Sequence, residues 1–243
     1  MALSKIDAFD FPEGMKLSRK YEIVSRLGGG WEGEVYLVQE AGTDILRAAK
    51  FFYPQRNLKN KTVNFYAKKL HKLHSCHALI KYLSQEIIIH EDEEITYLIS
   101  EFVDGKTLSS FLNSRPRKKL TSFQGLHLLH AIAKGVEEIH HLKEYHGDLH
   151  TDNVIVTKFG LEFSVKLIDV FQWGRATKGS IQDDVIDMIR IFYDALGGAK
   201  TYSSQPQEVK DIVCGLKKNM IRKKFKTAGH LRVYLEHMHL EVL

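Results

Sequence analysis

Apolar and polar residues alternate along much of the first hundred residues, a pattern typical of strands. Residues 21–27 alternate and are rich in β-formers, a glycine run follows, and residues 34–39 resume the pattern. This arrangement predicts a hairpin closed by a glycine-rich turn. Apolar residues at helical spacing predict one helix over residues 63–73. Further strands are predicted over residues 45–53, 86–90 and 95–102.

After Gly105 a helical period replaces the alternation. A short helix capped near Thr107 and a long amphipathic helix through residues 126–139 are predicted, and a hairpin covers residues 153–168. More helices are predicted over residues 183–196, 207–219 and 227–240. The fold class predicted is α+β in two lobes, a small antiparallel sheet with one helix and a larger, mainly helical part.

These patterns predict one domain with three segments. Residues 1–20 form an N-terminal extension, residues 21–103 the sheet-rich lobe and residues 104–243 the helical lobe. No internal repeat occurs, and no apolar run approaches 18 residues, so we predict no membrane span.

The amino-acid composition excludes several classes of protein. Of 243 residues, 44% are hydrophobic and 27% charged, which excludes a disordered or fibrous chain. Two cysteines cannot form a disulfide framework, and the first twenty residues lack a signal-peptide core. We therefore expect a cytoplasmic protein.

The net charge of +5 is unevenly distributed. Residues 45–85 hold nine Lys or Arg and no acid, whereas residues 86–104 hold seven acids and no base. Residues 217–226 hold six bases but only one aromatic residue, which favours a solvated basic face over a nucleic-acid interface. Nucleic acid is accordingly not an expected partner.

Residues 28–35 fit the pattern G-x-G-x-x-G-x-V. Glycines let a hairpin fold tightly over phosphates and direct backbone amides at them. Because this run joins two strands, it differs from a Rossmann fingerprint or a P-loop, in which a helix follows. By itself it is weak evidence, because glycine-rich hairpin turns are common.

Lys50 lies on the next predicted strand, in the apolar run that begins with Ala48 and Ala49. A lysine is costly to bury unless its ammonium meets an anion, such as a phosphate. The alternative is an edge lysine whose charged end reaches solvent.

Three oxygen-bearing side chains follow in the second half of the chain. Asp148 and Asn153 lie five residues apart in His146-Gly147-Asp148-Leu149-His150-Thr151-Asp152-Asn153, and Asp169 ends an apolar strand. Carboxylate and amide oxygens suit Mg²⁺ with phosphate oxygens completing its shell. Each could singly be a turn or cap residue.

The chain resembles the protein kinase-like superfamily in four features that occur in the same order: the glycine run, the lysine strand, the His-x-Asp…Asn loop and the strand-end aspartate. Asp184, at the start of an apolar helix, resembles the family's Asp-x-Trp helix. The resemblance covers about residues 20–240 and is closest to divergent bacterial-type Ser/Thr protein kinases. The loop wording HGDLHxxN is also similar to that of aminoglycoside and choline kinases.

The resemblance implies ATP and Mg²⁺ as cofactors. It makes Lys50 the ligand of the α- and β-phosphates and the glycines their cover, and it implies that the backbone of a hinge over residues 101–103 meets adenine. The implied nucleotide-binding residues are Gly28, Gly29, Gly30, Gly33, Val35, Ala48, Lys50, Glu101 and Val103.

The same resemblance implies the catalytic roles. Asp148 would orient the acceptor hydroxyl and take its proton, with Lys50 and Asn153 as the other catalytic residues. Asn153 and Asp169 would hold Mg²⁺.

The chain departs from the family pattern at several positions. The helix after Lys50 should carry a glutamate that pairs with it, but residues 45–85 contain no acid. Lys50 is then held by Asp169 and phosphate alone, or activity is weakened. The segment Asp169-Val170-Phe171 lacks the family's glycine, and Gly147 stands where the family has arginine.

These departures leave three functions open. The first is a phosphotransferase acting on protein Ser/Thr, the second a small-molecule kinase, and the third a nucleotide-binding pseudokinase. We also hypothesise that the basic helix over residues 57–74 is positioned by an acidic element. This element would be residues 86–104 or an acidic regulatory partner that supplies the missing carboxylate.

Overall fold

The computed structural model describes residues 5–160, 162–170 and 174–238. The chain divides into two compact units, one of Met1–His74 with Ile80–Val103 and one of Ser75–Leu79 with Asp104–Leu243. The first consists of an antiparallel sheet with one long helix, and the second is mainly helical. This organisation confirms the predicted α+β class.

A six-stranded antiparallel sheet forms the first unit, hereafter the sheet unit, in the order β1-β2-β3-β4-β6-β5. One long helix, α1 (Lys61–Lys72), packs against β5 and β6. Alternation of apolar residues gives the strands two faces, as the sequence predicted. The strands are β1 (Lys16–Leu17), β2 (Tyr21–Gly29), β3 (Gly33–Glu40), β4 (Leu46–Phe52), β5 (Tyr82–His90) and β6 (Glu93–Glu101).

The hairpin between β2 and β3 has the glycine-rich turn expected from the sequence. The backbone N–H of Gly30 donates to the carbonyl of Gly33 at 2.9 Å, leaving Trp31 and Glu32 at the tip. A Cβ atom on Gly33 would lie 1.8 Å from the carbonyl oxygen of Phe51 on β4. Only glycine therefore allows β3 to approach β4 at this point.

The segment expected to be an N-terminal extension is part of the core of the sheet unit. Phe9 and Phe11 are buried and stack on each other, and both contact Phe51. The backbone N–H of Phe9 donates to the buried carboxylate of Glu34, and that of Phe11 donates to the Tyr36 hydroxyl. Burial, together with the Glu34 carboxylate, raises the pKa of Tyr36 to about 12.

The second unit, hereafter the helical unit, is built from helices and a three-stranded sheet in the order β7-β8-β9. The long helix α3 packs against α4, α8 and β9. The helices are α2 (Leu108–Asn113), α3 (Ser122–His141), α4 (Lys178–Ala195), α5 (Ala199–Tyr202), α6 (Gln207–Val213), α7 (Lys218–Lys224) and α8 (Ala228–His237). The strands are β7 (Lys106–Thr107), β8 (Val154–Phe159) and β9 (Glu162–Leu167).

Threonine side chains begin four of these helices. Thr107, Thr121, Thr177 and Thr227 each accept a hydrogen bond from a backbone N–H in the first turn, of α2, α3, α4 and α8 respectively. These N–H groups have no partner within the helix, so the cap fixes where each helix starts. The predicted cap at Thr107 is confirmed.

The single helix predicted over residues 207–219 is wrong. Helix α6 ends at Val213, and α7 begins at Lys218. The three residues that separate these helices all have positive φ: 52° at Cys214, 57° at Gly215 and 56° at Leu216. Right-handed helical hydrogen bonding cannot continue through left-handed residues, whatever the apolar spacing.

None of the helices in the described ranges combines the length and the apolar character that crossing a membrane requires.

Replacing Phe11 with alanine should destabilise the sheet unit, because its buried ring packs against three other aromatic residues and His90. We expect a loss of about 3–4 kcal/mol in the free energy of unfolding, measured in urea. Glu13→Ala, at an exposed position two residues away, should change it by less than about 0.5 kcal/mol. Equal stability of both variants would mean that the segment is a dispensable tail.

Candidate active site

Residues 146–153 of the helical unit form a loop, hereafter the 146–153 loop, that is organised around His146. His146 is completely buried, and burial lowers its pKa from 6.5 to about 4, so the ring is neutral at physiological pH. Its Nε2 lies 3.0 Å from the carbonyl oxygen of Ile168, and the backbone N–H of Asp148 donates to its Nδ1. These partners require the tautomer with the proton on Nε2.

The carboxylate of Asp184 on α4 anchors the start of this loop. Asp184 is completely buried, and its oxygens accept hydrogen bonds from the backbone N–H groups of His146 and Gly147, both at 2.8 Å. The Nε2 atom of His140 lies 3.0 Å from the same carboxylate and supplies a third donor. A buried carboxylate needs such donors, so Asp184 ties the loop to α4.

Gly147 has a φ of 81°, in the left-handed region. Side-chain-bearing residues rarely adopt this conformation, whereas glycine does so without strain. The turn gives a local reason for the glycine at the position where the resembled family has arginine.

The structure brings Asp148 and Asn153 into direct contact. The Asn153 side-chain amide donates to the carbonyl oxygen of Asp148 at 2.9 Å and to its carboxylate Oδ2 at 3.3 Å. Asn153 is buried, whereas the Asp148 side chain is more than half exposed. The arrangement presents one carboxylate to solvent while its neighbour holds it in place.

Asp169 follows directly after the segment that holds Asn153. The backbone N–H of Ile168 donates to the carbonyl oxygen of Asn153 at 3.1 Å. Asp169 itself has a φ of 56°, a conformation that aspartate tolerates better than most residues. Phe171, which the sequence analysis compared with the family motif, lies outside the described residues.

This donor set fits Mg²⁺. Because the Asn153 amide donates to Asp148 through Nδ2 in both hydrogen bonds, its side-chain oxygen is an acceptor of the kind that hard cations bind. Asp169 adds a carboxylate from the adjoining backbone. Asn153 and Asp169 are therefore suitable ligands in chemical type.

In the sheet unit, Lys50 pairs with a carboxylate from the glycine-rich hairpin. Its Nζ lies 3.1 Å from Oε2 of Glu32, and the two side chains are only 14% and 17% exposed. Glu32 thus supplies Lys50 with a carboxylate from outside residues 86–104. The hypothesis that residues 86–104 position the basic helix is not tested by this ion pair. An acidic partner at the basic helix over residues 57–74 stays a prediction.

Helix α1 presents an aromatic ring to Lys50. The ammonium lies 4.7 Å from the centre of the Tyr66 ring and 5.6 Å from that of Phe52. Both distances fall within the range of cation–π attraction. Helix α1 thus directs an aromatic face at Lys50.

The other expected nucleotide-binding residues lie in the same unit. Gly28 and Gly29 pair with Val35 and Glu34 across the hairpin. Ala48 pairs with Ser100, whose hydroxyl donates to the Ala48 carbonyl at 3.5 Å.

Glu101 and Val103 are half-buried at the end of β6. The Glu101 side chain accepts from the backbone N–H of Lys81, and its own N–H donates to the Lys81 carbonyl. These two hydrogen bonds thus join the end of β6 to Lys81.

Sequence reasoning missed Glu32 and Tyr66 as neighbours of Lys50. A signal for Glu32 exists, since β3 pairs Gly33 with Phe52 and Val35 with Lys50, which brings the hairpin tip beside β4. Recognising it requires the strand register, which apolar spacing does not specify.

Comparison with known proteins identifies related chains. The family model described as "Protein kinase domain" matches residues 21–204. The serine/threonine-protein kinase PrkC of Bacillus subtilis is 22% identical over 64% of this chain and 23% of its own length. The human cAMP-dependent protein kinase catalytic subunit PRKX is 26% identical over 61% of this chain and 42% of its own length. The chain thus spans less than half the length of these two relatives.

A solved structure has a similar fold. The kinase domain of PknI from Mycobacterium tuberculosis, crystallised as a double mutant, superposes with a TM-score of 0.66 and 16% identity. The match covers 93% of this chain and 97% of that one.

Asp184→Asn should destabilise the helical unit by about 3 kcal/mol or more, because an amide nitrogen would face one of the buried donors that the carboxylate satisfies. The adjacent Asp183 forms an exposed ion pair with Arg222, so Asp183→Asn should cost less than about 1 kcal/mol. Unfolding in urea measures both. A similar small loss for both variants would contradict the anchoring role of Asp184.

His146 should lower the stability of the helical unit as the pH falls from 6.5 towards 4. In this window the unfolded chain binds a proton at His146 that the folded chain excludes, since the folded pKa is about 4. The full contribution of His146 is about 3 kcal/mol.

Asp187, whose pKa burial raises to about 6, titrates in the same window with the opposite sign. The test therefore compares urea unfolding of the wild type and His146→Gln at pH 7 and pH 4.5, with Asp187 present in both. The wild type should lose more stability on acidification. Parallel pH profiles for the two proteins would contradict this assignment.

Proposed function

The chain belongs to the protein kinase domain family, and on that premise we propose that it transfers the γ-phosphoryl group of Mg·ATP to a hydroxyl of serine or threonine in a protein. The observation that carries the proposal is the pairing of an exposed carboxylate, Asp148, with the buried amide of Asn153. A loop that served only as a turn would not need a solvent-facing carboxylate held in this way.

In the proposed reaction, Asp148 accepts a hydrogen bond from the acceptor hydroxyl, orients it and takes its proton. Asn153 keeps this carboxylate in one orientation through its side-chain amide. His146 and Asp184 do not touch the substrate; they position the loop that carries both residues. Lys50 offers its ammonium to the phosphates.

Asn153 and Asp169 would hold Mg²⁺, which supplies neutralising charge for the phosphate oxygens when it is bound. The glycine-rich hairpin of residues 28–33 would cover the phosphates, with the adenine contacting the backbone of residues 101–103. We further propose that the protein acts in the cytoplasm.

A small-molecule hydroxyl is the second candidate acceptor. Asp169 and Asp184 are only 15 positions apart, and α4 already begins at Lys178. This leaves a short segment on which a peptide substrate could lie. The serine/threonine kinases among the relatives favour the protein acceptor.

Asp148→Asn should leave Mg·ATP binding unchanged and lower phosphoryl transfer by about 10²–10⁴-fold, because the amide cannot accept the hydroxyl proton. Binding is measured as the thermal stabilisation by Mg·ATP, which Asp169→Ala should abolish through loss of a metal ligand. Transfer is measured with γ-labelled ATP and a cell lysate separated into protein and small-molecule fractions.

Label in proteins that requires Asp148 supports the proposed acceptor, and label in small molecules alone supports the second candidate. Mg·ATP binding without any label would identify a pseudokinase and overturn the proposed transfer. Absence of thermal stabilisation at millimolar Mg·ATP would overturn the nucleotide-binding role itself.

A further inference from the structure

Glu32 and Lys50 form a largely buried ion pair within the sheet unit. The distance from Glu32 Oε2 to Lys50 Nζ is 3.1 Å, short enough for a charge-assisted hydrogen bond. With exposed fractions of 17% and 14%, both side chains are shielded from water, so the attraction is screened less than at an open surface. The pair therefore restricts where the ammonium can point.

The hairpin tip that carries Glu32 is itself fastened to the chain around β4. The carbonyl oxygen of Glu32 accepts from the backbone N–H of Tyr53 at 2.9 Å. The guanidinium of Arg56 stacks over the ring of Trp31, 4.0 Å from its centre. The backbone of Glu32 and the neighbouring Trp31 thus hold the hairpin tip in place, in addition to the ion pair with Lys50.

Helix α1 cannot provide an alternative carboxylate, because residues 61–72 contain no acid. It contributes the ring of Tyr66, whose face attracts the ammonium without accepting a directional hydrogen bond. A carboxylate fixes one N–H direction, whereas a ring face restricts the ammonium more loosely.

We propose that Glu32 is the positioning residue for Lys50, so that the glycine-rich hairpin, and not helix α1, orients the ammonium towards the phosphates of the nucleotide. This inference rests on the proposed function. An ammonium has three N–H bonds, so donating to Glu32 does not exclude donating to a phosphate oxygen. The hairpin that covers the phosphates and the lysine that binds them then act as one element.

The proposal differs from a latch, in which Glu32 would occupy Lys50 until ATP displaces it. A positioning carboxylate strengthens Mg·ATP binding, whereas a competing carboxylate weakens it. Neutralising Glu32 therefore distinguishes the two by the direction of the change in affinity.

The test measures the dissociation constant of Mg·ATP by titration calorimetry for the full chain. Glu32→Gln keeps the shape of the side chain and removes its charge, and should weaken binding by about tenfold. Glu32→Asp keeps the charge on a shorter side chain and should retain part of the affinity. Glu94→Gln, at an exposed position on β6, is the matched control and should bind like the wild type.

A second background shows whether Glu32 acts through Lys50. In Lys50→Met, which lacks the ammonium, adding Glu32→Gln should cause no further loss of affinity, because the two residues form one unit. A general structural role of Glu32 would give an equal loss in both backgrounds and would overturn the proposal.

The remaining outcomes are equally decisive. Tighter Mg·ATP binding by Glu32→Gln would identify a latch, and unchanged binding would show that the ion pair has no role in positioning; either overturns the proposal. If Glu32→Gln fails to fold, Glu32→Asp in the two backgrounds answers the same question. Failure of the wild type to bind Mg·ATP would overturn the proposed function, and this result is distinct because it precedes any comparison of variants.

Discussion

The need of a buried carboxylate for hydrogen-bond donors determines the arrangement of the helical unit around Asp184. Its two oxygens have no contact with solvent, and the donors they find are two backbone N–H groups at the start of the 146–153 loop and the ring of His140. Without them the charge would be strongly unfavourable in the interior. The path of the loop is therefore set by a residue on α4 that has no proposed contact with substrate.

Through His146, Asp184 also positions the segments that carry the proposed reacting groups. His146, held at its backbone by Asp184, uses one ring nitrogen for the N–H of Asp148 and the other for the carbonyl of Ile168. Ile168 in turn bonds to Asn153 and precedes Asp169. A neutral, buried histidine thus connects the segments that carry all three oxygen-bearing side chains, and its low pKa follows from that burial.

In the sheet unit, the charge of Lys50 likewise requires a partner, and here that partner is a side-chain carboxylate. A lysine in a mostly apolar strand needs an anion, and Glu32 supplies it. The charge pattern along the chain suggested that an acidic segment or a partner positions the basic helix, because no acid occurs within the run from 45 to 85. Glu32 lies upstream of that run, at the tip of the hairpin for which the sequence indicated a phosphate cover or an ordinary turn.

Apolar periodicity and local cap chemistry were sufficient to predict the α+β class, the glycine-rich hairpin and the cap at Thr107, because these features depend on neighbouring residues. The motif spacing likewise singled out Asp148, Asn153 and Asp169 as one proposed site. Tertiary structure alone decided that Glu32 pairs with Lys50, 18 residues away, and that Asp184 anchors His146, 38 residues away. It also decided that the aromatic residues near the N-terminus belong to the core. The reason is that a buried charge or ring is stabilised by whichever group the fold brings beside it, and strand register and helix packing, not spacing along the chain, determine which group that is.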